Sequence, residues 1–302
     1  VTTIVKLLPI HYDAWNEFCN QNHWFWHTTH WLEYIQNSKF GVEFKDHSFF
    51  IEQNGKIVNI VPLLQEGDQF ISSGFEDRKE ILYEVKRIAV ENGIKRVRVS
   101  ASIKEYLDIS GYTCVLNLKQ ITPSKGHKSA IKKAEKYLTY TLCKNTVKFR
   151  EDYYRIAGKI TRPSVTFDIL GRWIRLGFGT LLEAKLDGKT VGYTYILHYK
   201  DRAYYFASCV EPECREYNIS HFLQAKAIEI LRQKCIRWYE LGEQVYPSLH
   251  CQPSEKEHNI SLFKRGFGGE IVRNPASEYF FDRDYFEQVY IERTKNYKEC
   301  VL

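Results

Sequence analysis

The amino-acid sequence predicts an α/β (α+β) fold built on mixed, mostly antiparallel sheets flanked by helices. Three observations carry that expectation. Strand and helix signals alternate from end to end, with no repeat at a solenoid period and no low-complexity tract. In the second half, three strand-like runs are joined by the tight turns Asp187-Gly188 and Lys200-Asp201, the pattern of an antiparallel meander. The 302 residues exceed one small core and suit one large domain or two of about 150 residues each.

Each element has its own signal. A helical stretch opens the chain at residues 13–19. Thr28 or Thr29 can cap a short helix continuing through Tyr34 and Ile35. Strands at 49–52 and 57–64 flank Asn54-Gly55, a strong hairpin signal, and 69–72 adds another strand. Residues 80–90 carry Ile81, Leu82, Val85, Ile88 and Ala89 at helical spacing, and Asn92-Gly93 stops them. A strand at 96–100, a short helix at 103–109 ended by Gly111, and a strand at 113–118 close the first half. A basic helix at 125–136 opens the second, then a strand at 138–143 and helices at 150–160 and 167–176. After the meander strands at 181–186, 191–199 and 203–209, Ile219, Phe222, Leu223, Ala227, Ile230 and Leu231 mark a long helix at 220–234. A strand at 238–241, a short helix at 260–264 and a strand at 266–272 follow.

The formal net charge of +6 is mild. A domain that coats duplex DNA carries a denser basic stripe. A phosphate-bearing small molecule, a nucleotide-sugar or occasional RNA contact fits at least as well. No run of 18 apolar residues exists, so no membrane span is expected. Val1-Thr2-Thr3-Ile4-Val5-Lys6 lacks a secretory pattern, so a cytoplasmic location is expected. The eight cysteines form no C-x-x-C pair and read as reduced thiols rather than a metal site. His23, His27 and His30 have spacings of four and three that could share a face. Trp24, Phe25, Trp26 and Trp31 interleave with them, so no metal is expected.

Three segments carry a family resemblance: Leu182-Glu183-Ala184-Lys185-Leu186-Asp187-Gly188-Lys189-Thr190-Val191-Gly192, Arg215-Glu216-Tyr217-Asn218-Ile219-Ser220, and Ser261-Leu262-Phe263-Lys264-Arg265-Gly266-Phe267-Gly268-Gly269-Glu270. They resemble the core of GNAT acyltransferases, specifically the FemAB-type or CelD/BioF-type acetyltransferase domain. Lys128 to Lys136 resembles the basic helix that precedes this domain, and Thr29-x-Trp31 the entry signature of a first, degenerate copy. The resemblance implies two GNAT-like domains in tandem, at 1–124 and 125–275, with 276–302 packing back on the first. It also implies a bacterial transferase serving envelope synthesis. Its best-known members move amino acids from aminoacyl-tRNA onto peptidoglycan precursors; others are assigned as acyl-CoA-dependent N-acyltransferases. No sustained heptads appear, so the coiled-coil arm of some members is missing.

On that resemblance, Arg215, Asn218, Ile219 and Ser220 form the loop that cradles the donor's phosphates where a strand feeds a helix. Asn218 and Ser220 stand where the family pattern has Gly and a small residue. Asn tolerates positive φ and Ser caps well, which favours a donor other than CoA or an altered acyl-CoA mode. The alternative is that Asn218 or Ser220 caps a core helix. Phe263 and Lys264 match the family's Phe-Lys pair, whose ammonium stabilises a tetrahedral oxyanion; the alternative is a solvated helix face. Glu240 and Glu243, at the end of the strand after the long helix, are general-base candidates, with Glu183, His250 and Tyr246 beside them. Lys128 and Lys132, at i, i+4, together with Tyr246, are expected to hold the substrate, unless the basic run is merely solvated. No Ser–His–Asp or Cys–His signature marks a covalent intermediate. The donor is expected to be acyl-CoA or aminoacyl-tRNA. The acceptor is expected to be an amine of a small molecule, sugar or glycan precursor, with tRNA a possible partner and DNA not. Two rivals stand beside this: a non-catalytic GNAT-like scaffold and a basic RNA-binding protein.

Overall fold

The computed structural model describes residues 2–22 and 24–301. The chain forms two compact units. The first comprises the residues up to Tyr112, Val245–Ser254 and those from Arg273 on; the second comprises Thr113–Gln244 and Glu255–Val272. Both pair mostly antiparallel strands with flanking helices, the mixed architecture expected of the sequence.

In the first unit, Thr2–Lys6, Phe49–Gln53 and Lys56–Val61 form a three-stranded antiparallel sheet. Asn54 and Gly55 turn its hairpin with φ of 52° and 74°, which suits the right-handed strand twist. A six-stranded sheet runs in the order Phe44–Asp46, Leu64–Glu66, Gln69–Ser72, Arg96–Val99, Ser277–Phe280, Leu107–Asp108. Gln69–Ser72 and Arg96–Val99 are parallel, so they need a crossover. Helix Lys79–Glu91 supplies it, burying Ile81, Val85, Ile88 and Ala89. The short helix expected at 103–109 does not form. Leu107–Asp108 is an edge strand against Glu278 and Ser277, and the Ile103 amide donates to Ser277 Oγ at 3.1 Å. Partners 174 positions away override a weak local preference.

The second unit is one seven-stranded sheet: Leu138–Cys143, Gly179–Leu186, Lys189–Tyr199, Arg202–Val210, Trp238–Gln244, Gly111–Asn117, Glu270–Asn274. Its meander turns at Asp187-Gly188 (φ 48° and 78°) and at Lys200 (φ 55°). Strand Gly179–Leu186 is two-sided. Leu182 and Ala184 enter a core with Phe222, Leu223, Ala227 and Leu231 of helix Ile219–Gln233. Glu183, between them, meets Lys148 of helix Thr146–Ala157. The helix expected at 260–264 is longer, Glu255–Arg265, because its polar first half gives no apolar periodicity; the strand after it is Glu270–Asn274. Among the described residues, no helix is long and apolar enough to cross a membrane.

Candidate active site

Strand Arg202–Val210 and strand Trp238–Gln244 run parallel, yet they share register only over Arg202–Tyr204 opposite Trp238–Glu240. Beyond that point the two strands no longer pair with each other, although Arg202–Val210 stays paired with Lys189–Tyr199 on its other side. Burial records the parting: Ala203 and Tyr204 are buried, whereas Tyr205, Ser208 and Cys209 are half-exposed. A separated strand edge leaves backbone N–H and C=O groups for a ligand.

The chain leaves the first of these strands through a 3-10 turn, Pro212–Tyr217, and enters helix Ile219–Gln233 at Asn218. Asn218 sits in the left-handed region (φ 55°, ψ 42°), which Asn tolerates better than other side chains. It stands at the N-cap position, and Ser220 lies inside the first helical turn, so Ser220 is not the cap. The Asn218 side chain makes no cap bond to the helix; its Nδ2 donates to the Glu216 carbonyl. The helix's first N–H groups are therefore directed outward. Ile219 is 2% exposed and belongs to the core, so only its backbone can serve a ligand.

A cleft of about 740 Å³ opens at this helix start, lined by Tyr205, Arg215, Ser220, Lys256, Asn259 and Phe263 among others. Arg215 and Lys256 bring two cations and Glu255 one carboxylate. Of the expected site residues, the structure thus gathers Arg215, Ser220 and Phe263 around one cavity.

Lys264 faces the neighbouring strand. Its Nζ donates to the Glu243 carbonyl at 3.2 Å. Gly242, one residue before, has φ of 90°, and a side chain there would meet Lys264 Nζ at 3.3 Å. Burial lowers the Lys264 pKa, opposed by the charges of Glu243 and Glu240. Glu240 is the counterpart. Burial raises its pKa, while a 2.8 Å bond from Thr113 Oγ1 and the charges of Arg202 and Lys264 oppose the rise. Lys264, from helix Glu255–Arg265, and Glu240 and Glu243, from strand Trp238–Gln244, therefore form a second gathering. Burial pushes the nearby Cys114 thiol up to about 11, so it stays protonated at neutral pH.

One support was not foreseen. His127, in helix Lys125–Ala134, places Nε2 2.8 Å from the Phe263 carbonyl oxygen. Its ring meets His221 at 4.6 Å and Phe267 at 4.7 Å. His221 in turn packs on Phe263 at 5.0 Å, and burial beside His127 lowers its pKa to about 4. Gly266 is required there, because a Cβ would fall 1.9 Å from the His127 ring. Within the sequence His127 looked like part of a basic run, and nothing local marked its partner.

The remaining expected residues lie elsewhere. Lys128 and Lys132 are exposed on helix Lys125–Ala134. Tyr246 belongs to the first unit, where it packs edge-on against Tyr112 at 5.6 Å. His250 also belongs there, its ring against Tyr290. Glu183 is not poised as a base. Burial works to raise its pKa, but bonds from Lys148 (2.7 Å), Thr190 (2.6 Å) and Thr141 (3.0 Å) outweigh it and hold the carboxyl at about 2. His27 and His30 lie in the first unit and His23 lies outside the described residues; among the described residues no group of three metal-ligand side chains forms.

Comparison with known proteins finds a family match over part of the chain. Residues 164–247 match the family described as acetyltransferase (GNAT) domain, a span that ends before helix Glu255–Arg265. No curated protein sequence matches. Among solved structures, FemX is similar with a TM-score of 0.69 at 13% identity, covering 95% of this chain and 100% of FemX. The C-terminal domain of a putative lysylphosphatidylglycerol synthetase from Agrobacterium fabrum gives 0.60 at 12%, covering 82% and 87%. A tandem GNAT protein from the clavulanic acid biosynthesis pathway gives 0.52 at 11%, covering 93% and 98%. At these identities the likeness is one of fold.

Proposed function

We propose that the chain, whose residues 164–247 match the acetyltransferase (GNAT) domain family and whose fold is similar to that of FemX, is an N-acyltransferase. It moves an acyl or aminoacyl group from a phosphate-bearing activated donor onto an amine of a small molecule, sugar or cell-envelope precursor. The observation that carries this is the pairing of a half-buried ammonium, Lys264, with a carboxyl of raised pKa, Glu240, beside a strand edge left open by its neighbour.

The chemistry follows from those groups. The acceptor's neutral amine attacks the donor's carbonyl carbon; a C–N bond forms and the carbonyl π pair moves to oxygen. Lys264 offsets the oxyanion's charge, an effect typically worth about 3–4 kcal/mol in a water-poor site. Glu240 accepts the ammonium proton, and its raised pKa brings it closer to the proton it must take. Collapse of the intermediate expels the donor's sulfur or oxygen, which leaves with the proton restored. Arg215, Lys256 and the N–H groups at the start of helix Ile219–Gln233 hold the donor's phosphates. The envelope acceptor rests on fold likeness to FemX and to a putative lysylphosphatidylglycerol synthetase domain.

The test is donor binding followed by turnover. Thermal unfolding is measured with acetyl-CoA, longer acyl-CoAs, free CoA and aminoacyl-tRNA. A donor at about 100 times its Kd stabilises by about 2.7 kcal/mol, a rise of a few degrees. The donor that raises the melting temperature is then offered with amine acceptors to wild type and Lys264→Ala. Turnover by wild type alone supports the reading. A bound donor with no turnover from wild type on any acceptor overturns it in favour of a scaffold.

A further inference from the structure

Among the described residues, the helix Arg283–Val301 of the first unit is anchored along one side. Arg293 Nη2 donates to the buried Glu278 carboxylate at 3.0 Å, and Tyr290 donates to the same group at 3.3 Å. Phe286 packs on Tyr290 and on Phe280 at 4.6 and 5.2 Å. The opposite side, Asp284, Glu287, Gln288, Ile291, Thr294, Lys295 and Lys298, is exposed, and Ile291 is 70% exposed. A groove of about 610 Å³ runs along it, with Tyr290, Ile291 and Phe286 in its wall.

The exposed side has an internal symmetry. At 3.6 residues per turn its side chains fall within roughly 60° of Ile291. Every charged one before Ile291 is acidic and every one after it is lysine. Glu287 and Lys295 stand four positions either side of Ile291, Asp284 and Lys298 seven, and the polar pair Gln288 and Thr294 three. A two-fold axis through Ile291 therefore lays each carboxylate of one helix on a lysine of an antiparallel copy.

We infer that this face is an isologous interface between two copies of the chain, with Ile291 against Ile291 at its centre and four carboxylate–lysine pairs around it. Isologous contacts need a self-complementary patch, and this face is one. The helix dipole accounts for an acid near the first turn and a lysine near the last; it does not account for the exposed Ile291 between them. Arg283 also pairs with Glu287 at 3.1 Å within the chain, but its side chain is 88% exposed, so solvent screens that pair and Glu287 remains available. A single helix crossing buries less than about 1,200 Å², the range of reversible association.

Sedimentation velocity of the full chain, from about 10 to about 500 µM, tests this. The expected result is a weight-average sedimentation coefficient that climbs with concentration and falls back in high salt. Ile291→Lys should remain monomeric throughout. Asp284→Lys with Glu287→Lys should be monomeric alone, as should Lys295→Glu with Lys298→Glu; mixed in equal amounts, the two should dimerise. All five positions are exposed, and unchanged far-UV circular dichroism confirms that the variants fold. Should a double variant unfold, Ile291→Lys against wild type still decides. A wild type that stays monomeric, or a dimer indifferent to Ile291→Lys, overturns the interface. A wild-type dimer whose complementary variants do not associate overturns the antiparallel register.

Discussion

His127 Nε2 lies 2.8 Å from the carbonyl oxygen of Phe263, the residue directly before Lys264. That bond ties the last turn of helix Glu255–Arg265 to helix Lys125–Ala134 and so fixes the backbone from which Lys264 projects. His127→Ala should cost about 1–2 kcal/mol of stability through the lost bond and packing. It should also lower kcat roughly tenfold, with a smaller rise in donor KM because Phe263, which His127 holds, lines the donor cleft. His127→Gln, which keeps an N–H donor, should recover part of kcat. Gly266→Ala should mimic His127→Ala, because the added methyl occupies the His127 ring position. A proportional change in kcat and KM across these variants would point to general loosening instead.

That relationship also shows what was legible in the sequence. The turns Asp187-Gly188 and Asn54-Gly55 and the apolar stripe of helix Ile219–Gln233 were readable because their signals are local. Leu107–Asp108 was not, because its pairing partner stands far along the chain at Ser277 and Glu278. The start of helix Glu255–Arg265 was invisible because Glu255, Lys256, Glu257, His258 and Asn259 offer no apolar period. Lys264 could be named only through the family resemblance of its Phe-Lys pair and Glu240 from its place at a strand end, but Thr113, whose hydroxyl bonds Glu240, and His127 act across 127 and 136 positions. No pattern in one sequence marks such pairs.

Lys264 should be irreplaceable by a neutral side chain. Lys264→Ala is expected to lower kcat by about 10² to 10³ while leaving the melting point within a few degrees, because among the described residues its ammonium bonds a single backbone carbonyl, that of Glu243. Lys264→Arg should restore a fraction, since charge survives but position does not. Steady-state kinetics with the donor found by thermal shift provides the check.

Glu240 should set the acidic limb of the pH profile. A base works deprotonated, and its pKa is raised above the ordinary 4.5 by burial. Activity should therefore fall as pH drops through that raised value, at a higher pH than an ordinary carboxylate would give. Glu240→Gln should flatten the limb and reduce kcat by roughly 10² or more. Thr113→Val removes the bond that opposes the rise, so its limb should move further toward neutral pH. A limb unmoved by both changes would exclude Glu240 as the base.

Glu183 should behave in the opposite sense and in stability rather than rate. Its folded pKa of about 2 lies below the ordinary 4.5, so the folded state releases the proton more readily than the unfolded chain. Its contribution is fully present above about 4.5 and is lost as pH falls toward 2, on the order of 2–3 kcal/mol over that window. Denaturant unfolding at several pH values should show that loss in wild type. In Glu183→Gln the loss should be absent, stability at pH 7 should already be lower, and Lys148 should be left without its 2.7 Å partner.

Asn218 links backbone geometry to donor binding. Its φ of 55° and ψ of 42° turn the chain from the 3-10 segment into helix Ile219–Gln233, and its side chain caps nothing in that helix. The conformation costs an ordinary L-residue roughly 1–2 kcal/mol, and glycine none. Asn218→Gly should therefore leave stability within a few tenths of a kcal/mol and donor KM unchanged. Asn218→Val should destabilise by about 1–2 kcal/mol, and any relaxation of the turn tilts the helix's first N–H groups away from the cleft shared by Arg215 and Ser220. The signature is a rise in donor KM for Asn218→Val with kcat at saturating donor preserved, because Lys264 and Glu240 lie on other elements. Equal behaviour of the Gly and Val variants would mean that the turn's shape does not govern the donor.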